Sequence, residues 1–210
     1  MTQKTTFRVG ALCLIAALSL SACVSVLPKA KPASTVYRLS IPHGVPETPG
    51  KLLRVVNIEL PKAPRALSGT DIVLSPDGRR LTAAAGASWA EPVPSQLRHA
   101  LIDKLAGDGR LTGIIPSGGT RAPFRLHIDI RRFEAVFDNG ETAAPNAVVT
   151  LNLTLTDTNS RRLVGSHSVS TNARARAATV SAIVDAQDIA TEEAMHKITA
   201  WLGGLIGDNP

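Results

Sequence analysis

Aromatic side chains are scarce. Two Trp, one Tyr and four Phe make up 3% of 210 residues, too few to form the run of exposed rings on which single-stranded bases stack. Nucleic acid is therefore not expected as a partner. No apolar run approaches the roughly twenty residues that a bilayer-spanning helix needs. The five histidines, His43, His99, His127, His167 and His196, include no HxxxH or HxH pair, so a zinc site is not expected. Ser166 and His167 lie together in "VGSHSV" but without the Gly-x-Ser-x-Gly turn of a nucleophile elbow. The glycines of "SGGT" (117–120) lack the GxxxxGK[ST] of a phosphate-binding loop. No catalytic, cofactor-binding or metal-binding residue is expected. The competing expectation is a hydrolase whose catalytic residues are dispersed along the chain.

The chain does hold a short apolar run in a telling place. Lys4 and Arg8 give a positive start, and no acidic residue precedes Cys23. From Val9 to Leu20 the sequence is almost wholly apolar, about the length of the central region of a secretory signal. It ends in Leu20-Ser21-Ala22-Cys23. Ser21 and Ala22 are small enough to lie in a peptidase groove, and this stretch resembles the bacterial lipobox, whose cysteine sulfur is acylated before cleavage. Cleavage is thus expected between Ala22 and Cys23, with Cys23 lipidated. The competing reading is an ordinary signal peptide that happens to end near a cysteine. Removing residues 1–22 discards Cys13, and the net charge falls from +6 to about +4. The one remaining cysteine allows no disulfide framework and no CxxC site. Val24 follows the cysteine, where Asp tends to retain bacterial lipoproteins at the inner membrane. Its presence points to the outer membrane and its periplasmic side. Several acyl chains hold a protein to a bilayer far more firmly than one.

Residues 23–35 combine Pro28, Pro32, Lys29 and Lys31 with small residues and show no period. They read as a lipidated N-terminus and flexible tether. Residues 36–210 are about the size of one domain. "VYRLSI" (36–41) and "LLRVVNIEL" (52–60) read as strands. Pro76-Asp77-Gly78 makes 71–85 a hairpin. Leu97, Leu101 and Leu105 then set an apolar helical stripe, with Ser95, or an earlier start at the prolines Pro92 and Pro94, as its N-terminus and Gly107 and Gly109 at its end. In "PFRLHIDI" the apolar residues Phe124, Leu126, Ile128 and Ile130 are even-numbered, whereas Phe133 and Phe137 are odd. Either a β-bulge near Arg131-Arg132 or a strand that changes faces accounts for the slip. "VVTLNLTLTDT" alternates cleanly and turns at Thr158-Asn159-Ser160, so 147–171 is a long hairpin. Helical spacing returns through Ile183, Ala190, Ala194, Ile198 and Leu202. The expectation is an α+β fold, a mainly antiparallel sheet with two amphipathic helices packed on one face.

The serial order "VYRL", "LRVVNIELP", an "IVL" hairpin, "WAEPVPSQLRHALIDKL", "LHIDIRRFEA", "VVTLNLTLTD" and a C-terminal helix resembles the PqiC-type ABC-transport auxiliary lipoprotein family. Trp89-Ala90-Glu91-Pro92 leading into the helix is its most specific segment. Ala66 departs from the bulkier residue common there. The resemblance implies a non-enzymatic docking component of an envelope lipid-transport system. Its implied partners are an MCE-domain substrate-binding protein and, through it, an ABC permease and ATPase. Homo-oligomer formation is left open by the sequence. The basic pairs Arg79-Arg80 and Arg161-Arg162 follow turns, either as solvated hairpin tips or as one positive surface facing anionic lipid or an acidic partner.

Overall fold

In the computed structural model the chain divides into two units, Met1–Ala33 and Ser34–Pro210. The structure describes residues 34–42, 54–115 and 121–207, all in the second unit. Its elements are β1 (Thr35–Tyr37), β2 (Arg54–Ile58), β3 (Asp71–Ser75), β4 (Thr82–Trp89), α1 (Val93–Asp108), β5 (Leu111–Ile114), β6 (Phe124–Val136), β7 (Asn146–Asp157), β8 (Leu163–Arg174) and α2 (Val180–Leu202). The fold is α+β, with one eight-stranded mixed sheet that is mostly antiparallel.

Strand β6 organises the sheet. One of its edges pairs antiparallel with β7 along the whole strand, and β7 pairs in the same sense with β8. The other edge is shared along its length. Parallel β2 pairs with Phe124–Leu126, Lys62 bridges to Asp129, and parallel β3 pairs with Ala135 and Val136. Beyond β2 lies parallel β5; beyond β3 lie antiparallel β4 and parallel β1. The parallel pairings and β5 go beyond the sequence reading. They join segments far apart in the chain, and the four residues of β5 are too few to show a period.

Alternation along β7 buries Val149, Leu151, Leu153 and Leu155, while Asn152 on the opposite face is exposed. The helices lie beside one another on the buried face. α1 contributes Leu97, Leu101 and Leu105 to the core, and α2 contributes Ala186, Ala190, Ala194, Ile198 and Leu202. Each fully buried leucine contributes about 1.5–3 kcal/mol. The alanines of α2 supply little bulk but let the helix axis approach the sheet. Thr171 Oγ1 on β8 reaches the Ala190 carbonyl and donates to it at 2.7 Å. α1 starts at Val93 with Pro92 as its N-cap residue and Pro94 in the first turn, so the earlier of the two starts is the one taken. Gly109 ends it in the left-handed region, φ 73°, which glycine adopts without strain.

The odd–even slip is a bulge. Ile130 faces Leu151 and Arg132 faces Thr150, leaving Arg131 without an opposite residue. The extra residue turns Phe133 and Ala135 into the core, where Phe133 lies 6.0 Å from the ring of Trp89. Glu134, only 6% exposed, closes the gap: its Oε2 accepts the Phe133 amide at 3.0 Å, and its Oε1 accepts Arg132 Nε at 2.7 Å. Replacing Glu134 with Ala orphans a buried N–H, which costs roughly 1–3 kcal/mol. Glu134→Ala should lower the urea midpoint accordingly, and Glu134→Gln, which keeps an acceptor, should lower it less. Equal midpoints for wild type and Glu134→Ala would show that the carboxylate does not hold the bulge.

Candidate functional site

The Trp89-Ala90-Glu91-Pro92 motif links β4 to α1 and anchors the segment that leaves β1. Trp89 is buried, and the Ala90 amide donates to the Tyr37 carbonyl at 2.6 Å. Gln96, in the first turns of α1 and 6% exposed, works in two directions. Its Nε2 donates to the Glu91 carbonyl and its Oε1 accepts the Leu39 amide, both at 3.0 Å. The next amide, Ser40 N–H, donates to Asp188 Oδ1 on α2 at 3.1 Å. Residues 38–41 therefore form a strap tied to both helices through adjacent backbone amides. Between strap and α1 lies a cavity of about 140 Å³, whose wall includes Leu39, Ile41, Glu91, His99, Ala100 and Asp103. Positions 96, 99, 100 and 103 fall on one helical face. His99 Nδ1 lies 3.5 Å from Glu91 Oε2. The recess is mainly apolar with a charged rim. It suits a side chain or short apolar group from a partner; it brings together no nucleophile and base.

Asp188 is the tensioned part of this strap. Burial raises its pKa to about 6; the Ser40 amide opposes the shift and the neighbouring charge of Asp185 adds to it. Between the ordinary value of 3.8 and about 6, the folded state holds more protons than the unfolded one. Stability from this group therefore falls as pH rises through that window and is level above it. Asp188→Asn keeps an oxygen acceptor for Ser40 and removes the charge. It should melt higher than wild type at pH 7.5, with the difference closing toward pH 4. A gap of the same size at both pH values would refute this assignment.

The residues singled out by sequence are widely separated. Cys23 and Ala22, together with His43 and the glycines of 117–120, lie outside the described residues. His127 sits on the open face of the sheet, with Nδ1 3.0 Å from Glu59 Oε2 and Nε2 3.5 Å from Asp129 Oδ1. His167 stacks on Trp201 with ring centroids 5.5 Å apart. Ser166, its neighbour in an extended strand, points to the opposite face. His196 borders a second cavity, about 210 Å³, with Lys104, Asp108, Arg110 and Thr199 near the C-terminal ends of the two helices. Among the described residues no group of three metal-ligating side chains occurs, and no helix is long and apolar enough to cross a membrane. The basic pairs do not share a surface. Arg79-Arg80 lie at the β3–β4 turn, near the Val136 end of β6, and Arg161-Arg162 at the β7–β8 turn, near its Phe124 end. Thirteen residues of strand separate the two by about 40 Å. Gln96 and Asp188 escaped the sequence reading. Their signal was a polar residue on the core-facing side of an otherwise apolar stripe.

The family model for the ABC-type transport auxiliary lipoprotein component matches residues 37–199. No curated protein matches the chain. Among solved structures, a Xanthomonas campestris protein described under the family name DUF330 superposes with a TM-score of 0.70 at 21% identity, covering 80% of this chain and 94% of that one. An uncharacterized protein gives 0.65 at 16%, covering 81% and 99%. A hypothetical protein from Chlamydia trachomatis gives 0.52 at 9%, covering 75% and 100%. These structures share the fold. The match over 37–199 takes in the strap, the Trp89–Pro92 motif, both helices up to Thr199 and strands β2 to β8, and the chain belongs to the ABC-type transport auxiliary lipoprotein component family, membrane-anchored proteins of the cell envelope that serve transport.

Proposed function

We propose that this protein is the lipid-anchored auxiliary component of an ABC/MCE-type envelope lipid-transport system. It stands on the periplasmic side of the outer membrane and acts as a non-enzymatic docking partner for an MCE-domain substrate-binding protein, which connects it to the ABC permease and ATPase. Residues 1–22 serve as the signal, Cys23 carries the acyl groups, residues 23–35 are the tether, and 36–210 form the docking body. The observation that carries the reading is the transport-auxiliary family match over 37–199, joined to Leu20-Ser21-Ala22-Cys23 at the end of a signal-length apolar run. Two features of the body support docking over chemistry. The recess beside the strap is mainly apolar with a charged rim, and the ring of His167 is stacked on Trp201 while Ser166 points to the opposite face.

Mass spectrometry of the protein isolated in mild detergent should give an N-terminal Cys23 bearing acyl groups, and the MCE-domain protein should co-isolate with it. Cys23→Ala should leave the body folded, with an unchanged urea midpoint, but release it from the membrane fraction. An intact Met1, a Cys23 terminus without acyl groups, or a Cys23→Ala protein that still sediments with membranes would overturn the anchor. Absence of the MCE-domain protein from the isolated material would overturn the docking role.

A further inference from the structure

Among the described residues β1, β5 and β8 pair on one side only. β1 and β5 are three and four residues long, and shortness of that kind guards an edge against pairing with another chain. β8 has twelve residues. Between Gly165 and Ala173 it holds no Lys, Arg, Asp, Glu or Pro, and its one irregularity lies at its start, opposite Leu155 and Thr156. The backbone groups left over can be named. Thr158 N–H donates to the Pro123 carbonyl on the β6 side, whereas Asp157 N–H donates to the Arg162 carbonyl, so the odd-numbered residues of β7 turn toward β8. The register sets them opposite odd-numbered residues of β8, and the Ala175 amide, which donates to the Pro145 carbonyl, keeps that phase. Ser166, Ser168, Ser170 and Asn172 therefore turn N–H and C=O away from the sheet, with no partner among the described residues. Their side chains are exposed on the open face, where Ser168 Oγ donates to Asn152 Oδ1 at 3.0 Å and Ser170 Oγ lies 3.1 Å from Thr150 Oγ1.

We infer that this edge is an interface between two copies of the chain, in which β8 pairs antiparallel with β8 of a second copy and the two sheets become one. A two-fold axis through Ser168 sets Ser168 opposite itself and Ser166 opposite Ser170, which pairs the outward N–H and C=O of all three serines. The strand pattern fits this occupant. An added strand needs small polar side chains beside the serines and less polar ones beneath Trp201 and Leu205, which cover Gly165 on the helix side. β8 itself has that alternation, with Ser166, Ser168 and Ser170 on one face and His167, Val169 and Thr171 on the other. The charges fit as well. The chain is net positive, so two copies meet favourably where charge is absent or balanced. Beyond the uncharged stretch, Arg162 approaches Arg174, whose guanidinium already holds Asp138. Asp188 and Glu192 of α2 face the strap and Lys104 of α1; the side of α2 away from α1 offers Glu193 and Lys197, paired at 3.4 Å, so neither sign accumulates there. The layer of helices closes too. α2 lies over β7 and β8, about half a strand spacing inside β8, so the axis sets the two α2 helices about 10 Å apart, the upper end of the roughly 8–10 Å of packed helices.

The test uses the full lipidated protein isolated in mild detergent. Across the axis two copies of residue 168 bring their Cα atoms to about 5.5 Å, within reach of a disulfide. Two copies of residue 172 stand eight strand residues apart, about 27 Å. Mild oxidation should therefore link at least half of a Ser168→Cys protein into a covalent dimer and leave Asn172→Cys monomeric. Adding Ser166→Lys and Ser170→Lys, which sets lysine against lysine, should cut the Ser168→Cys yield at least fivefold. Producing that variant together with one carrying Ser166→Glu and Ser170→Glu should restore the yield, because lysine then meets glutamate. Far-ultraviolet circular dichroism equal to wild type separates lost pairing from lost folding. A folded Ser168→Cys protein that stays monomeric, equal yields at 168 and 172, or a disulfide to a different co-isolated protein overturns the assignment. The transport role is decided separately, by co-isolation of the MCE-domain protein.

Discussion

Every strand of this sheet is placed, directly or through one or two neighbours, by the backbone of β6, and β6 reverses its facing partway along. Before Arg131 the even-numbered side chains meet the helices; after it the odd-numbered ones do. Without the extra residue, Phe133 and Ala135 would face solvent and Glu134 would face the apolar core, because a shift of one residue exchanges the two faces of a strand. The bulge lets one strand of thirteen residues serve two local sheets, with β2 on its first half and β3 on its second. The buried carboxylate of Glu134 is the cost of that arrangement. It is tolerable because the charge is met by a guanidinium and a backbone amide at once.

The same strand shows what one sequence can disclose. The phase slip between Ile130 and Phe133 was visible as a break in alternation, and so was the choice between a bulge and a turned strand. What settled it was the partner: Thr150 and Leu151 fix the register from β7, and no property of residues 124–137 alone carries that information. The long antiparallel hairpin and both helices were legible because their periods persist over many residues. β5 and the parallel contacts of β1, β2 and β3 were not, since three to five residues hold too little pattern and their partners are distant in sequence. The site divides along the same line. Trp89-Ala90-Glu91-Pro92 stands out as a string, but the strap that it secures depends on Gln96 and Asp188 meeting two consecutive amides, a coincidence made in space.

Scarcity of aromatic residues also acquires a structural reading. With few large rings to fill the layer between sheet and helices, the core relies on Leu, Ile and Val from the sheet and α1 and on a line of alanines in α2. A helix with an alanine face sits close to its sheet, as the hydrogen bond from Thr171 to the carbonyl of Ala190 shows. Such close packing leaves little interior space, and the two cavities described lie at the margins of the helix pair, beside the strap and near the C-terminal ends of the helices. The packing that stabilises the body therefore also pushes recognition outward, to its rim and its turns.

Net positive charge is often read as a property of a whole molecule, but here its meaning depends on where acids are spent. Asp77 and Asp157 occupy equivalent places in two hairpins, each accepting backbone amides across its turn, and both carboxyls are held below the usual range, Asp77 at about 2. Asp77 retains an oxygen for the Arg80 side chain. No arginine side chain among the described residues takes up Asp157 in that way, although two arginines follow within five positions. Two turns of like chemistry and like net charge thus differ in whether one arginine side chain is tied to the turn's aspartate. At the Asp77 turn Arg80 is held by the carboxylate while the exposed Arg79 side chain is not. The Asp157 turn leaves two guanidinium groups in water beside an exposed leucine, and solvated arginines of that kind act on long-range encounter and orientation more than on fold stability.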